Sequence, residues 1–251
     1  MKSRYQNKVN IAGGGYDKWL WIKVIKETKH IFTSLVKSSV RFVSMRLGNL
    51  IRDHYCEKRY GIDTSDKSNP EVNAGRKGDA LFYEPTPYRQ LEKIVQYIKI
   101  KPEDVCVDIG CGLGRVVCVF ATCEVKKVIG IEVSEEFVRM TKENLAKLKT
   151  GKKPLIDIIH IDAKDYNFSE GTIYFLFNPF GYETLKKVIE NIANGIKNNP
   201  RNIRIIYLNP FYREILDNTH WLVFDGKIEK TDAFVWNSIS VCHTVTHEKA
   251  E

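Results

Sequence analysis

The sequence predicts an α/β fold: a seven-stranded, mostly parallel, doubly wound sheet with a terminal antiparallel hairpin, preceded by an N-terminal helical arm. Three observations support this prediction. Seven short apolar segments typical of strands lie between residues 105 and 242, and helical patterns separate most of them. The last two segments follow each other closely enough to form an antiparallel pair. A basic amphipathic helical pattern occupies residues 17–55, before the first strand.

The predicted elements alternate along the chain. A helix over residues 88–98 leads to the first strand, and a proline follows it at Pro102. Ser134 is placed to cap the helix after the second strand. The strands are predicted at 105–109, 127–132, 155–161, 172–177, 203–208, 221–224 and 234–242, and the other helices at 116–121, 135–149, 183–198 and 211–217.

Composition and charge indicate a globular protein with a basic arm. The chain has 251 residues, of which 43% are hydrophobic and 28% charged, as in ordinary folded proteins. Thirteen Lys and Arg residues and four Asp and Glu residues lie within residues 1–60, so this segment carries +9 against +8 for the whole chain. The positive charge therefore belongs to the arm and not to the region that carries the predicted sheet.

We predict three parts: a basic amphipathic helical arm at 1–60, a linker at 61–80 rich in Gly, Asp, Ser, Asn and Lys, and the sheet-bearing domain at 81–251. The arm is one long helix, or two helices broken near Gly48 and Asn49. Its lysines exclude a membrane-spanning helix, and it lacks the apolar core of a secretory signal.

The partner of the arm stays open between two interpretations. In the first, the apolar stripe of the arm packs on the main domain or on a partner subunit. In the second, its tryptophans and basic residues bind an anionic membrane surface or another polyanion. No nucleic-acid-binding motif accompanies these residues.

The six cysteines are scattered without a C-x-x-C pair, which favours a reducing, cytoplasmic setting, with peripheral membrane attachment through the arm as an extension of that prediction. Cys242, His243 and His247 lie close together near the end of the chain. Their spacing does not match a zinc site, so we expect no bound metal. The oligomeric state stays open.

A glycine turn follows the first predicted strand. Asp108 lies near the end of that strand, and Gly110, Gly112 and Gly114 follow at alternate positions before an apolar helix. Glycine allows a tight turn at positive φ and lets a ligand approach the backbone. The dinucleotide-binding fingerprint needs a third glycine where this chain has Arg115, which argues against a nicotinamide-linked oxidoreductase.

Two acidic residues follow the next strands. Glu132 ends the strand Lys127–Glu132, where a carboxylate can accept both hydroxyls of a ribose lying across the sheet edge. Asp162 follows the third strand, with Ala163 after it. Alternatively, Asp162 only initiates a turn, and Asp165 is a second candidate for that role.

The pattern G-x-G-x-G preceded by Asp108 resembles motif I of the class I S-adenosylmethionine-dependent methyltransferases. This resemblance implies a seven-stranded sheet with one reversed strand, S-adenosylmethionine as the cofactor, and methyl transfer as the activity. It also implies that Asp162 accepts the adenine amino group while the backbone of Ala163 pairs with the ring. The implied cofactor-binding residues around the three strand ends are Asp108, Gly110, Cys111, Gly112, Glu132, Val133, Asp162 and Ala163.

The segment from Phe82 to Tyr88 holds two prolines at alternate positions and leads into a helix before the first strand. It is similar to the segment that precedes motif I in the non-SET histone lysine methyltransferases and in a group of bacterial relatives. The resemblance implies that Tyr83, Glu84 and Thr86 cover the methionine end of the cofactor. The alternative is a plain connection stiffened by prolines.

A second motif, Asn178-Pro179-Phe180, follows the fourth predicted strand. It resembles the (Asn or Asp)-Pro-Pro-aromatic motif of N-directed methyltransferases, although the second proline is absent. The resemblance implies catalytic roles for these three residues, with Asn178 also close to the cofactor. The alternative is a simple turn. Asn209-Pro210-Phe211 repeats the pattern one strand later, by coincidence or as a lip of the substrate pocket.

The sequence thus predicts an S-adenosylmethionine-dependent methyltransferase that acts on a nitrogen acceptor of unknown identity. One alternative is a methyltransferase acting on an oxygen of a small molecule or glycan. Another is a non-catalytic cofactor-binding protein whose basic arm binds a membrane or polyanion.

Overall fold

A computed structural model describes residues 17–65, 79, 83–152 and 154–238, with side chains described from Val36 onward except at residues 38 and 41. The chain forms two compact units, Met1–Leu50 and Ile51–Glu251. The histidines and cysteine near the C-terminus, and most of the predicted linker, lie outside the described residues.

The N-terminal segment forms one helix, α1 (Asp17–Tyr60), with no break at Gly48. Its last ten residues belong to the larger unit, so the predicted arm at 1–60 extends into the unit that carries the sheet. Within the described residues, no helix combines the length and apolarity that crossing a membrane requires.

The larger unit confirms the predicted fold class. Its seven strands are β1 (Val105–Ile109), β2 (Lys127–Glu132), β3 (Leu155–His160), β4 (Ile173–Leu176), β5 (Arg204–Leu208), β6 (Leu222–Lys227) and β7 (Ala233–Ser238). They are ordered β3-β2-β1-β4-β5-β7-β6. The first five pair in parallel, and β7 runs antiparallel to both β5 and β6.

Helices connect the strands and cover both faces of the sheet. They are α2 (Tyr88–Ile98), α3 (Arg115–Ala121), α4 (Glu135–Lys147), α5 (Tyr182–Asn198) and α6 (Arg213–Asp217), and a single 3₁₀ turn at Ala163–Asp165 precedes β4. The α2 bounds match the predicted ones, because Leu91, Ile94 and Ile98 recur at helical spacing and are all buried.

The sheet separates two apolar cores. Tyr174 and Phe175 are neighbours in β4 and point to opposite faces, as side chains along a strand must. Phe175 packs in the core that contains α2 and α3, and Tyr174 packs in the core beneath α5. Because β1 to β4 are parallel, their carboxyl ends lie at one edge of the sheet, where the candidate site forms.

Candidate active site

The turn between β1 and α3 requires its glycines. Gly110, Gly112 and Gly114 have φ of 78°, 54° and 81°, in the left-handed region that favours glycine. A Cβ on Gly110 would lie 2.4 Å from the Pro179 Cβ, and a Cβ on Gly112 would lie 2.3 Å from the Tyr83 ring. The glycine turn is therefore in direct contact both with the Asn-Pro-Phe motif and with the segment that precedes α2.

Two polar residues of α4 hold the glycine turn from behind. The Thr141 hydroxyl donates to the Gly112 carbonyl at 2.7 Å, and the Asn144 amide donates to the Leu113 carbonyl at 3.0 Å. Both side chains are buried. The sequence analysis did not identify them, since a Thr and an Asn on an amphipathic helix give no local signal for a contact about thirty residues away.

Glu132 ends β2 beside the glycine turn. One of its oxygens accepts the Gly112 N–H at 2.9 Å, and the other accepts the N–H groups of Val133 and Ser134, each at 2.9 Å. Burial raises the pKa of this carboxyl above its ordinary value, although these three donors lower it. Glu132 is thus a buried acid with a fixed orientation at the edge of the pocket.

Asp108 is the second buried acid of the site. Burial, and then the charge of Glu132, raises the pKa of its carboxyl well above the ordinary value. None of the described residues forms an ion pair with Asp108 or donates a hydrogen bond to its carboxylate. A buried carboxylate with no partner destabilises the fold unless a cation approaches it, so this position suits a cationic ligand group.

Asp162 follows β3 and begins the 3₁₀ turn. Its side chain accepts the Lys164 N–H at 3.1 Å and pairs with the Lys164 ammonium at 2.9 Å. The turn-initiating role that we considered as an alternative is therefore present. Asp162 and the buried Ala163 also line the pocket, whereas Asp165 does not, so the pocket singles out Asp162 from its competitor.

The Asn178-Pro179-Phe180 turn is held in place by the second, similar motif. Asn178 and Asn209 follow the neighbouring strands β4 and β5, and both adopt positive φ, of 42° and 48°. The Asn178 amide donates to the Asn209 carbonyl, and its oxygen accepts the Phe211 N–H at 3.2 Å. The backbone of the repeated Asn-Pro-Phe pattern therefore fixes the side chain of Asn178.

The segment before α2 completes the pocket wall. Tyr83 packs against Phe137, with ring centroids 5.5 Å apart, and its hydroxyl donates to the Thr64 carbonyl at 2.8 Å. Thr86 is buried, and its carbonyl accepts a hydrogen bond from Arg115 at 3.1 Å. This segment is thus tied to neighbouring elements of the larger unit and is more than a stiff connection.

One pocket unites these elements, with about 1110 Å³ of empty space that is partly open to solvent. All the site residues predicted from the sequence line it: Tyr83, Glu84, Thr86, Asp108, Gly110, Cys111, Gly112, Glu132, Val133, Asp162, Ala163, Asn178, Pro179 and Phe180. The sequence did not assign further lining residues, including Asp79, Phe175, Phe177 and Thr184. In the described part of the chain, no group of three metal-ligating side chains is present.

Comparisons with known proteins agree with this geometry. Residues 70–173 match the family model "Histone methylation protein DOT1", a match that ends before Asn178. A protein-lysine N-methyltransferase from Saccharolobus islandicus is 29% identical over 96 residues, covering 38% of this chain and 58% of that protein. The histone-lysine N-methyltransferase, H3 lysine-79 specific, of Dictyostelium discoideum is 28% identical over 160 residues, covering 57% of this chain and 9% of that protein.

These similarities, together with the sheet order, support a resemblance to the class I S-adenosylmethionine-dependent methyltransferases. The chain spans 58% and 9% of the lengths of the two relatives. The solved structures that the chain matches include the precorrin 8w decarboxylase of Methanobacterium thermoautotrophicum, with a TM-score of 0.49, 20% identity and coverage of 72% of this chain and 99% of that one. An RNA methyltransferase from Salinibacter ruber in complex with S-adenosyl-L-homocysteine matches with a TM-score of 0.47 and 18% identity, covering 67% and 100% of the two chains.

The cofactor is S-adenosylmethionine, and the pocket fits it. Gly110 and Gly112 line the pocket, and Pro179 and Tyr83 approach them as closely as only residues without a Cβ allow. The carboxylate of Asp108, which no described residue pairs with, complements an ammonium group. The Glu132 carboxylate lies at the end of β2, the strand next to the one that carries Asp108, and can accept hydrogen bonds from hydroxyl groups.

Proposed function

We propose that this methyltransferase transfers a methyl group to the ε-amino group of a lysine side chain in a protein. The observation that carries the proposal is the contact between the glycine turn and the acceptor motif, where a Cβ on Gly110 would fall 2.4 Å from the Pro179 Cβ. This contact puts donor and acceptor sites in one pocket. The lysine specificity is supported by the names of the two relatives and by the family model over residues 70–173.

In this proposal the chain binds the cofactor through three strand ends. Asp108 takes the amino group, and Gly110, Cys111 and Gly112 line the part of the pocket that holds the amino-acid portion. Glu132 with the neighbouring Val133 takes the ribose hydroxyls, and Asp162 with Ala163 takes the adenine. Tyr83, Glu84 and Thr86 form the wall over the methionine portion. Bound S-adenosylmethionine supplies an activated methyl group on a sulfonium.

The acceptor side of the pocket suits an amine. The Asn178 amide is fixed by Asn209 and Phe211, so its oxygen, which retains a second lone pair, keeps one direction. Phe180 is largely buried beside it and offers an aromatic face to a nitrogen that becomes cationic on methylation. Asp79 and Glu84 are exposed acids in the pocket lining that favour the approach of a cationic side chain.

A lysine must lose its proton before it attacks. No histidine or lysine lies among the described residues that line the pocket, and the hydroxyl of Tyr83 is bound to the Thr64 carbonyl. The residues of the chain therefore orient the amine, and the proton leaves to solvent before transfer.

The test is to identify the methylated amino acid. The full chain is incubated with S-adenosylmethionine carrying a labelled methyl group and with core histones or fractionated cell protein, and the labelled protein is hydrolysed and analysed by mass spectrometry. We expect methylated lysine. Label found on arginine, on glutamine or as an alkali-labile ester would contradict the lysine assignment, and label found in a small molecule or glycan would favour the oxygen-directed alternative.

Replacing Asn178 with alanine is expected to lower kcat by about 100-fold or more, because the turn loses both hydrogen bonds that fix the acceptor motif. Steady-state kinetics with the methylated substrate measures this. Asn199→Ala is the matched control, since Asn199 also bonds a backbone carbonyl, that of Ser169, but does not line the pocket. A kcat for Asn178→Ala equal to that of the control would remove Asn178 from the mechanism.

A further inference from the structure

Arg115 occupies the first position of α3, directly after the glycine turn, and its side chain is only 3% exposed. Its guanidinium donates to the Asp53 carboxylate at 2.9 Å, the Glu57 carboxylate at 3.2 Å and the Thr64 hydroxyl at 2.7 Å. It also lies 4.7 Å from the centre of the Tyr88 ring. One buried arginine thus joins α3 to the last turns of α1, to the loop after α1 and to the start of α2.

The partners of Arg115 are also bonded to one another. Thr64 donates its hydroxyl and its N–H to Glu57, and the Tyr88 hydroxyl donates to Glu57 at 3.1 Å. Asp53 accepts the Tyr88 N–H at 3.0 Å. A buried charge is tolerated when its hydrogen-bonding groups are satisfied, and here two carboxylates and two carbonyls surround the guanidinium. Such a network has one geometry and resists rearrangement.

The network reaches the cofactor pocket through Thr64 and Tyr83. The Thr64 carbonyl lies 3.5 Å from an Arg115 nitrogen and also accepts the Tyr83 hydroxyl at 2.8 Å. The Tyr83 ring lies against Gly112, where a Cβ would come within 2.3 Å of it. Arg115 also holds the carbonyl of Thr86, three residues along the same segment. Both ends of the Tyr83–Thr86 wall are therefore anchored to Arg115.

We propose that Arg115 is a positioning residue for cofactor binding, which acts by holding Tyr83 over the glycine turn. The last turns of α1, through Asp53 and Glu57, are then part of the cofactor site and not only of a helical arm. The inference rests on the cofactor and not on the methyl acceptor, so a failure to find lysine methylation leaves it standing.

The test measures S-adenosylhomocysteine binding to full-length variants by calorimetry. Arg115→Lys keeps the charge but not the forked contacts, and its Kd is expected to rise about ten-fold or more. Tyr83→Phe removes only the hydroxyl that bonds Thr64, and its Kd is expected to rise by about three-fold to ten-fold.

Arg201→Lys is the matched control. Arg201 also bonds several carbonyls, those of Phe168, Gly171, Gly195 and Asn199, but it does not line the pocket. It is expected to lower Tm with no change in Kd. The proposal is overturned if folded Arg115→Lys binds S-adenosylhomocysteine as the wild type does, or if the Kd of Tyr83→Phe is unchanged.

A separate observation concerns α1 within the smaller unit. Val36, Val40, Val43, Leu47 and Leu50 recur at spacings of four and three, so they share one face of the helix. The apolar side chains Val36, Val40, Phe42, Val43, Met45, Leu47 and Leu50 are between 45% and 68% exposed. A contiguous exposed apolar face on a helix indicates a binding surface.

The positive charge of the same stretch indicates which kind of partner it binds. From Thr28 to Leu50 the sequence contains Lys29, Lys37, Arg41 and Arg46 and no Asp or Glu. Two copies of such a helix would repel each other, without the opposite charges that flank the seam of a coiled coil. Nucleic acid would match the charge but would leave the aliphatic face in water. A bilayer surface with anionic headgroups accommodates both.

We infer that this face of α1 binds anionic lipid bilayers. The full chain is expected to co-sediment with vesicles that contain phosphatidylglycerol and to do so less at high salt, while vesicles of phosphatidylcholine alone bind it weakly. The double variant Val40→Asp and Leu47→Asp is expected to remain in the supernatant. Leu155→Asp, which changes an exposed leucine of β3, is the matched control and is expected to bind as the wild type does.

Three results would overturn this inference. They are absence of vesicle binding, equal binding to neutral and anionic vesicles, or a dimer in light scattering that the double variant abolishes.

Discussion

Replacing Gly110 with alanine is expected to abolish both cofactor binding and methyl transfer. The residue has φ of 78°, where an alanine is strained by about 1–2 kcal/mol. The new Cβ would also lie 2.4 Å from the Pro179 Cβ, so either the glycine turn or the acceptor motif has to move. Since both define the pocket, we expect kcat/KM to fall by about 100-fold or more, measured with the labelled-methyl assay alongside S-adenosylhomocysteine calorimetry.

Substitutions at two other glycines serve as controls, one for the added methyl group and one for backbone strain. Gly151→Ala places a Cβ where nothing lies within 4 Å, and it is expected to leave binding unchanged. Gly61→Ala introduces a comparable backbone strain, at φ of 75°, outside the pocket lining, and is expected to lower Tm more than it weakens binding. Wild-type affinity in Gly110→Ala would show that the contact with Pro179 does not shape the pocket.

The pocket could be predicted from the sequence because its parts are local motifs at strand ends. A glycine turn, an acid ending an apolar strand and an Asn-Pro turn each have a recognisable pattern, and parallel strands bring their carboxyl ends together. The same logic predicted the fold class, since consecutive apolar strands separated by helices form a doubly wound sheet. The prolines that flank the segment, the last of them Pro102, placed the bounds of α2.

The features that the sequence did not reveal depend on contacts between distant residues. Arg115 was interpreted only as the absence of a third glycine, because its partners Asp53, Glu57 and Thr64 lie 51 to 62 positions away. The unbroken α1 also differs from one of the two predicted possibilities. A glycine within a helix costs about 1 kcal/mol, which a helix of 44 residues tolerates.

The role of the second Asn-Pro-Phe motif could not be predicted from the sequence. Its pattern was visible, but its role depends on β4 and β5 being paired neighbours with both asparagines at positive φ. Only then does the backbone of Asn209 and Phe211 reach the side chain of Asn178. The structural role of this short repeat depends on the pairing of two strands, and a three-residue pattern does not encode that pairing.

Replacing Asp108 with asparagine is expected to stabilise the free protein while weakening cofactor binding. Burial, and then the charge of Glu132, raises the pKa of this carboxyl well above its ordinary value. A group whose pKa is raised by folding favours the native state at low pH, and this contribution is lost as pH rises through the raised pKa. At neutral pH the uncharged amide of Asn removes the cost of burying a carboxylate. If this cost is about 1 kcal/mol, Tm is expected to rise by about 2–4 °C.

The expected Tm difference between wild type and Asp108→Asn shrinks as pH falls, because the wild-type carboxyl is then protonated and neutral as well. Asp165→Asn changes an exposed acid outside the pocket and is the control for the loss of one negative charge. Thermal unfolding followed by circular dichroism across this pH range measures both effects. A free Asp108→Asn protein with a lower Tm than the wild type at neutral pH would contradict the proposed cause of the pKa shift.

The same carboxylate makes cofactor binding depend on pH. An ammonium group beside Asp108 favours its charged form, so wild-type affinity for S-adenosylhomocysteine is expected to increase as pH rises through the raised pKa, with release of a proton on binding. In Asp108→Asn the affinity is expected to be about ten-fold lower or more, and without that proton release. Calorimetry in two buffers of different ionisation enthalpy measures the released proton directly. Equal proton release by wild type and Asp108→Asn would assign the titrating group to another residue, with Glu132 the nearest candidate since burial raises its pKa as well.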